Sequence, residues 1–147
     1  MRSDIEFLGL APATAPGRWS LEVVERLVRL DGRLYGGAAI AVSVATAEAL
    51  TGAAALWMTT QFVSTVEQGA RLAVHTELLA GGRRTSQVRV TGTAPDGTVV
   101  FASVGATGRH RPDGLTGTFE RCPSVTPPDA STRWASPISG LARSITV

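Results

Sequence analysis

Hydrophobic and polar positions fall into three zones along the chain. From Trp19 to Leu30, β-branched and polar residues mix, with Val23, Val24 and Val28 set among Glu22, Glu25 and Arg26, which predicts a first strand. Asp31-Gly32 then predicts a turn. From Tyr35 to Thr51 the residues become Ala, Val, Ile and small hydroxyls, with Gly36-Gly37 in front and Gly52 just past the end, the punctuation of a helix. Glu48 is the only charge inside that helix. It has no polar face to offer water, so other elements must wrap it.

Residues 54–107 supply the wrapping as four strands. The stretch 56–63 alternates, with Leu56, Met58 and Phe62 on one face and Trp57, Thr59, Gln61 and Val63 on the other. Glu67-Gln68-Gly69 closes it, Leu72 to Leu79 follows, Gly81-Gly82 turns, Arg84 to Thr93 alternates through Val88 and Val90, and Val99 to Thr107 returns after Asp96-Gly97. A strand, a buried helix and a four-stranded antiparallel meander make an α+β layer, the hotdog arrangement of a long central helix wrapped by a curved sheet of five to six strands. One copy leaves a strand edge unpaired, so a homodimer, or a tetramer of such dimers, is the expected completion.

The ends look irregular. Residues 9–18 are rich in Ala, Pro and Gly, and residues 112–147 hold five of the eight prolines. The expected organisation is an irregular segment over 1–18, the hotdog domain over 19–110 and a proline-rich tail over 111–147 containing Phe119, Cys122 and Trp134. At 147 residues with 44% hydrophobic and 18% charged side chains, one compact domain is expected. The longest apolar run, beginning at Ala38, is too short for a bilayer, and residues 1–18 carry Asp4, Glu6 and two prolines rather than a signal-peptide core. A soluble cytoplasmic protein is the expectation, with which a single cysteine agrees.

Charge narrows the partners. The net +2 comes from arginine alone, because the chain has no lysine. Apart from Arg83-Arg84 and Arg109-His110-Arg111 the arginines are scattered, and aromatics total 5%, too thin for a nucleic-acid face. The two clusters are either solvated surface or small patches able to meet the phosphates of a nucleotide-bearing ligand. Two histidines and one cysteine make no metal ligand set, and no cofactor is implied.

Several segments between positions 15 and 110 resemble the long-chain acyl-CoA thioesterase II family. Arg33-Leu34-Tyr35-Gly36-Gly37 before an Ala-rich helix is similar to its R-x-[FY]-G-G start. Glu77 to Ser86 is similar to its V-E-x-L-R-x-G-R-S turn, and Asp96-Gly97-Thr98-Val99-Val100-Phe101 to its Q-x-G-x-x-[IV]-F hairpin. Members commonly hold two hotdog modules, and this sequence resembles the N-terminal one. The resemblance implies hydrolysis of acyl-CoA thioesters, a place in fatty acid metabolism, and a thioester carbonyl near Gly37 or Ala38. It departs where Trp57 to Phe62 matches the family's S-x-H-x-x-F strand, since Thr59 stands in place of the His.

Thioester hydrolysis needs donors for the carbonyl oxygen, a group that activates water, and a slot for the pantetheine and acyl chain. Tyr35, Gly36, Gly37 and Ala38 would supply the first at the positive end of the helix, and Arg83 and Arg84 would meet the substrate phosphates. The glycines equally suit a tight strand-to-helix turn. Single-module hotdog enzymes place a carboxylate seven residues past the second Gly, and here that residue is Val44. Glu48, one turn further on the same face, is the replacement candidate, with Thr59 and Gln61, beside Thr60, as residues that would orient water or thioester. His75 and His110 have no carboxylate at a dyad spacing, which argues against a hydratase. The alternative to hydrolysis is a non-catalytic module that binds acyl-CoA or acyl chains, or serves assembly.

Overall fold

A computed structural model of the chain describes residues 4–109, Gly114, Gly117 and residues 123–127. The chain divides into two compact units, Met1–Pro112 and Asp113–Val147. The first carries helix α1 (Asp4–Leu8), strands β1 (Leu10–Pro12) and β2 (Arg18–Glu22), a 3₁₀ turn (Glu25–Leu27), helix α2 (Gly36–Thr51), and strands β3 (Ala54–Phe62), β4 (Arg71–Gly81), β5 (Thr85–Thr93) and β6 (Val99–Gly108). Phe119, Cys122 and Trp134, like His110 and Arg111, lie outside the described residues.

The six strands form one antiparallel sheet in the order β1-β2-β4-β5-β6-β3. β3 follows the helix in sequence but lies at the far edge, so the sheet passes beneath α2 from β2 across to β3. This is the hotdog fold. Alternation puts Leu72 and Val74 of β4, Val88 and Val90 of β5, and Phe101 of β6 against Ala39 and Val42 of the helix, all buried. Gly92 makes room there, because a Cβ on it would lie 2.2 Å from the Phe101 ring. Helix α2 ends as its sequence dictates: Gly52 adopts the left-handed conformation (φ 64°) and donates its N–H to the Glu48 carbonyl.

Two expectations about the amino-terminal third are corrected. The first strand runs only from Arg18 to Glu22. After Val23 bonds the Ala70 carbonyl, the chain turns, and Leu27 donates to the Val24 carbonyl at 2.9 Å. The three-residue spacing from Val24 to Leu27 suits a 3₁₀ turn that carries Leu27 into the core, whereas an extended chain would bring Glu25 or Arg26 inward. Residues 1–18 are likewise not irregular throughout, since they include α1 and β1. Leu8 and Leu10 are buried, and Leu10 pairs with Leu21, so this segment lengthens the sheet by one short strand. Among the described residues, no helix is long and apolar enough to cross a membrane.

Candidate active site

The first turn of α2 presents two free donors. Tyr35, in the extended conformation, caps the helix without a side-chain bond, and its carbonyl receives the N–H groups of Ala38 and Ala39 at 2.9 and 3.3 Å. Gly36 and Gly37 have no backbone acceptor among the described residues. The first turn contains no acidic residue, so the helix itself supplies no charge to offset the positive end of its dipole.

A side chain at Gly36 or Gly37 would displace a neighbouring ring. A Cβ on Gly36 would lie 3.1 Å from two atoms of the Phe62 ring, and one on Gly37 would lie 2.3 Å from the Tyr35 ring. Two aromatic rings therefore flank the bare backbone, and both are exposed, Tyr35 at 57% and Phe62 at 59%. Two short bonds hold this turn in place: Tyr35 N–H donates to the Leu27 carbonyl and Leu34 N–H to the Val66 carbonyl, each at 2.9 Å.

From Gly37 the helix spacing carries one face through Ile40, Ala41, Val44 and Glu48. Ile40 is 41% exposed although the helix has no polar face, and Ala41 beside it is exposed too, whereas Val44 and Glu48 are half-buried. Val44 lines a cavity of about 390 Å³ with Asp4, Phe7, Leu8, Ala41 and Ala45. Glu48 lies roughly 18 Å along the axis from Gly36, at the rise of an α-helix. Its Oε1 accepts the Ala55 N–H at 2.8 Å, tying the end of α2 to the start of β3.

Within one chain, the proposed site residues fall at three places. Tyr35, Gly36, Gly37 and Ala38 form the helix start beside Phe62. Arg83 and Arg84 lie exposed in the β4–β5 connection at the opposite end of the sheet, since Thr85 pairs with Gly108 and Gly108 with Ala54. Glu48 shares their end through Ala55. Thr59 and Gln61 are exposed on the sheet face turned away from the helix, while Thr60 faces inward and bonds Ser103 at 2.8 Å. By residue type alone Thr60 is level with its two neighbours. The signal that separates them is the alternation itself, since Thr60 shares parity with Met58 and Phe62. His75, in mid-strand of β4, pairs with Arg18 and Thr91.

Carboxylates with lowered pKa lie elsewhere. Hydrogen bonds from Arg89, from Arg29 and from the Thr98 backbone hold Glu77, Asp31 and Asp96, respectively, below the usual carboxylate range. No group of three or more metal-ligating side chains occurs among the described residues.

Residues 26–107 match the model of the acyl-CoA thioesterase N-terminal domain. A candidate thioesterase from Novosphingobium aromaticivorans is similar in structure, with a TM-score of 0.73 and 30% identity over 82% of this chain; the chain spans 47% of that protein. A mutant of the phenylacetic acid degradation protein from Thermus thermophilus aligns with a TM-score of 0.62 and 27% identity, over 72% of this chain and 97% of that one. A hypothetical thioesterase from Streptococcus pneumoniae, solved with coenzyme A, shares the fold at a TM-score of 0.58 and 16% identity, over 65% of this chain and 83% of that one. No curated protein matches the chain.

Proposed function

We propose that this chain, which belongs to the acyl-CoA thioesterase N-terminal domain family, hydrolyses acyl-CoA thioesters at a site completed by a second copy of itself. The observation that carries the reading is the pair of unpartnered N–H groups at Gly36 and Gly37, held open between two exposed aromatic rings. A thioester carbonyl oxygen placed there gains two donors and the end of the helix dipole. Both strengthen as the oxygen takes on negative charge during water attack, which lowers the barrier rather than only tightening binding.

The second copy follows from β3. Antiparallel pairing of two β3 strands about a two-fold axis keeps both helices on the same side of a continuous sheet. It sets the Phe62 end of one strand beside the Ala54 end of the other. Gly36-Gly37 of one copy then approaches the end bearing Glu48, Arg83 and Arg84 of the second copy, two groups of residues that a single chain keeps apart. In this arrangement Arg83 and Arg84 suit the phosphates of the nucleotide part, and the stripe through Ile40 and Val44 suits the acyl chain. A cytoplasmic setting belongs to the same proposal.

One observation favours a second reading, binding without hydrolysis: the Glu48 carboxylate is already engaged by Ala55, and Val44 beside it is apolar. Incubation of the purified full chain with acyl-CoAs of graded length and a thiol reagent separates the two. Release of CoA supports hydrolysis, binding of the esters without release supports the second reading, and neither binding nor release removes both.

A further inference from the structure

Helix α1 makes one wall of a cavity whose other wall is α2. Asp4, Phe7 and Leu8 stand at the i, i+3, i+4 spacing of a single helix face and line the cavity from one side. Ala41, Val44 and Ala45 line it from the other. Leu8 and Ala45 are buried, whereas Phe7 is 55% exposed and Ala41 is exposed.

The Phe7 wall is tied down. Arg26 Nε donates to the Phe7 carbonyl at 2.7 Å, and the Arg26 guanidinium lies over the Phe7 ring, 5.9 Å from its centroid. Gly9, with φ 71°, then turns the chain into β1, where Leu10 pairs with Leu21. A helix of five residues does not hold itself in water, so these contacts fix where the wall stands.

The cavity lies on the path that leads away from the Gly36-Gly37 donors. Gly37, Ala41 and Ala45 follow one another at four-residue steps and so share one side of α2. From Gly37 to Ala45 is about 12 Å at the rise of an α-helix. A thioester whose carbonyl sits at the glycines has two substituents to place, the acyl chain and the sulfur with its pantetheine arm and nucleotide. The cavity suits only the first. Its one charged lining residue is Asp4, which repels phosphates, and none of its lining side chains carries an N–H for the amide carbonyls of the pantetheine arm.

We infer that the cavity between α1 and α2 receives the far end of the acyl chain, and that Phe7 is the side chain that limits how long a chain it holds. This rests on reading Gly36-Gly37 as an acyl-CoA site. An extended alkyl chain, with C–C bonds of about 1.5 Å bent at tetrahedral angles, spans about 12 Å in about ten carbons. The protein therefore favours acyl groups of medium length. Each methylene up to that limit is drawn out of water, a gain of up to about fourfold in kcat/KM, and those beyond it gain nothing.

The test measures kcat/KM for wild type, Ala41→Leu and Phe7→Ala, as full chains, over straight-chain acyl-CoAs of graded length. Ala41→Leu, at an exposed position one turn from Gly37, fills the mouth of the cavity. It should leave short acyl groups as in wild type, end the gain several carbons earlier, and lose roughly tenfold at the wild-type optimum, the worth of one or two buried methylenes. Phe7→Ala should carry the gain on to longer groups with short ones unchanged. Urea unfolding shows whether each variant is folded, and Ala41→Leu decides alone if Phe7→Ala is not. A length profile like that of wild type in the folded variants, or a loss uniform over all lengths, overturns the inference and leaves the proposed function standing. If wild type binds the esters without hydrolysing them, calorimetric Kd values replace kcat/KM, with the same profiles expected and the same outcomes overturning it. A wild type that neither binds nor hydrolyses removes the inference together with the proposed function.

Discussion

The sheet has two edges, and the sequence treats them in opposite ways. β1 is three residues long, ends in Pro12 and follows directly on the short helix α1. Brevity and proline are common devices for stopping an edge from recruiting another strand. β3 is nine residues long, with neither a charge nor a proline from Ala54 to Phe62. Leu56, Trp57 and Phe62 there are each more than half exposed. An edge so long, apolar and unguarded would be an aggregation hazard if nothing paired with it. The difference teaches that one edge is finished within the chain while the other suits the partner strand proposed above, and β3 is also the strand whose Phe62 ring lies beside Gly36.

The largest expected effect comes from spoiling the unfinished edge. In the double variant Leu56→Arg and Trp57→Arg, a two-fold interface would take up four unpaired charges, at an expected penalty of several kcal/mol. Light scattering should show a dimer for wild type and a monomer for the variant, with hydrolysis lost in parallel. Ala11→Arg on β1 should leave mass and activity alone and change stability by no more than about 0.5 kcal/mol. If both edges respond alike, or neither does, the contrast fails.

Next in size is Gly36→Val, at the start of α2 beside the Phe62 end of β3. Its added carbons would meet the Phe62 ring, from which even a Cβ would be only 3.1 Å distant, and would cover the site from which the N–H groups point. Hydrolysis should fall on the order of a hundredfold, comparable to the loss of an oxyanion donor, with the dimer retained. A Gly36→Val protein of normal activity would separate the glycines from the chemistry.

Glu48 sharpens the comparison at the other end of the same strand. Its carboxylate holds the Ala55 N–H where β3 begins, so Glu48→Ala should lower the stability measured by urea unfolding by about 1.5–3 kcal/mol, the range for a hydrogen bond to a charged group. Loss of activity in the folded variant beyond that of a Glu48→Gln control would show that the carboxylate acts on substrate as well.

Much of the fold was legible because its signals are local. The bounds of α2 follow from Gly36-Gly37 and Gly52, and the meander from alternation broken by Gly81-Gly82 and Asp96-Gly97. The amino-terminal third was less legible, because Leu10 becomes buried through pairing with Leu21, and no local pattern announces a partner so far along the chain. The same division runs through the site. The helix start is readable from two adjacent glycines, whereas the engagement of Glu48 depends on Ala55 seven residues on. The buried contact between the Ser43 and Ser103 hydroxyls joins residues 60 positions apart. A register shift between Ala55 and Trp57 also leaves Leu56 out of the ladder, which a count of alternating residues does not reveal.

The smallest expected effect lies between the two edges, and its smallness is informative. Arg89 of β5 donates to Glu77 of β4 at 2.7 Å across neighbouring strands, and that bond holds the Glu77 carboxyl below its ordinary range. A carboxyl whose pKa is lowered by folding stabilises the fold above its unfolded pKa, and the contribution disappears as the pH falls through the lower, folded value. Glu77→Gln should therefore melt slightly below wild type at pH 7, and the two should converge in acid, below about pH 4. Added salt should narrow the gap at pH 7, because the pair faces water in a single chain. Edge pairing through β3 leaves that face open, so the gap should be the same in the wild-type dimer and in the Leu56→Arg, Trp57→Arg monomer. A gap that is large, resists salt and shrinks in the monomer would mean that a partner covers the outer face of the sheet as well, and the contrast between a finished and an unfinished edge would then describe only part of the assembly.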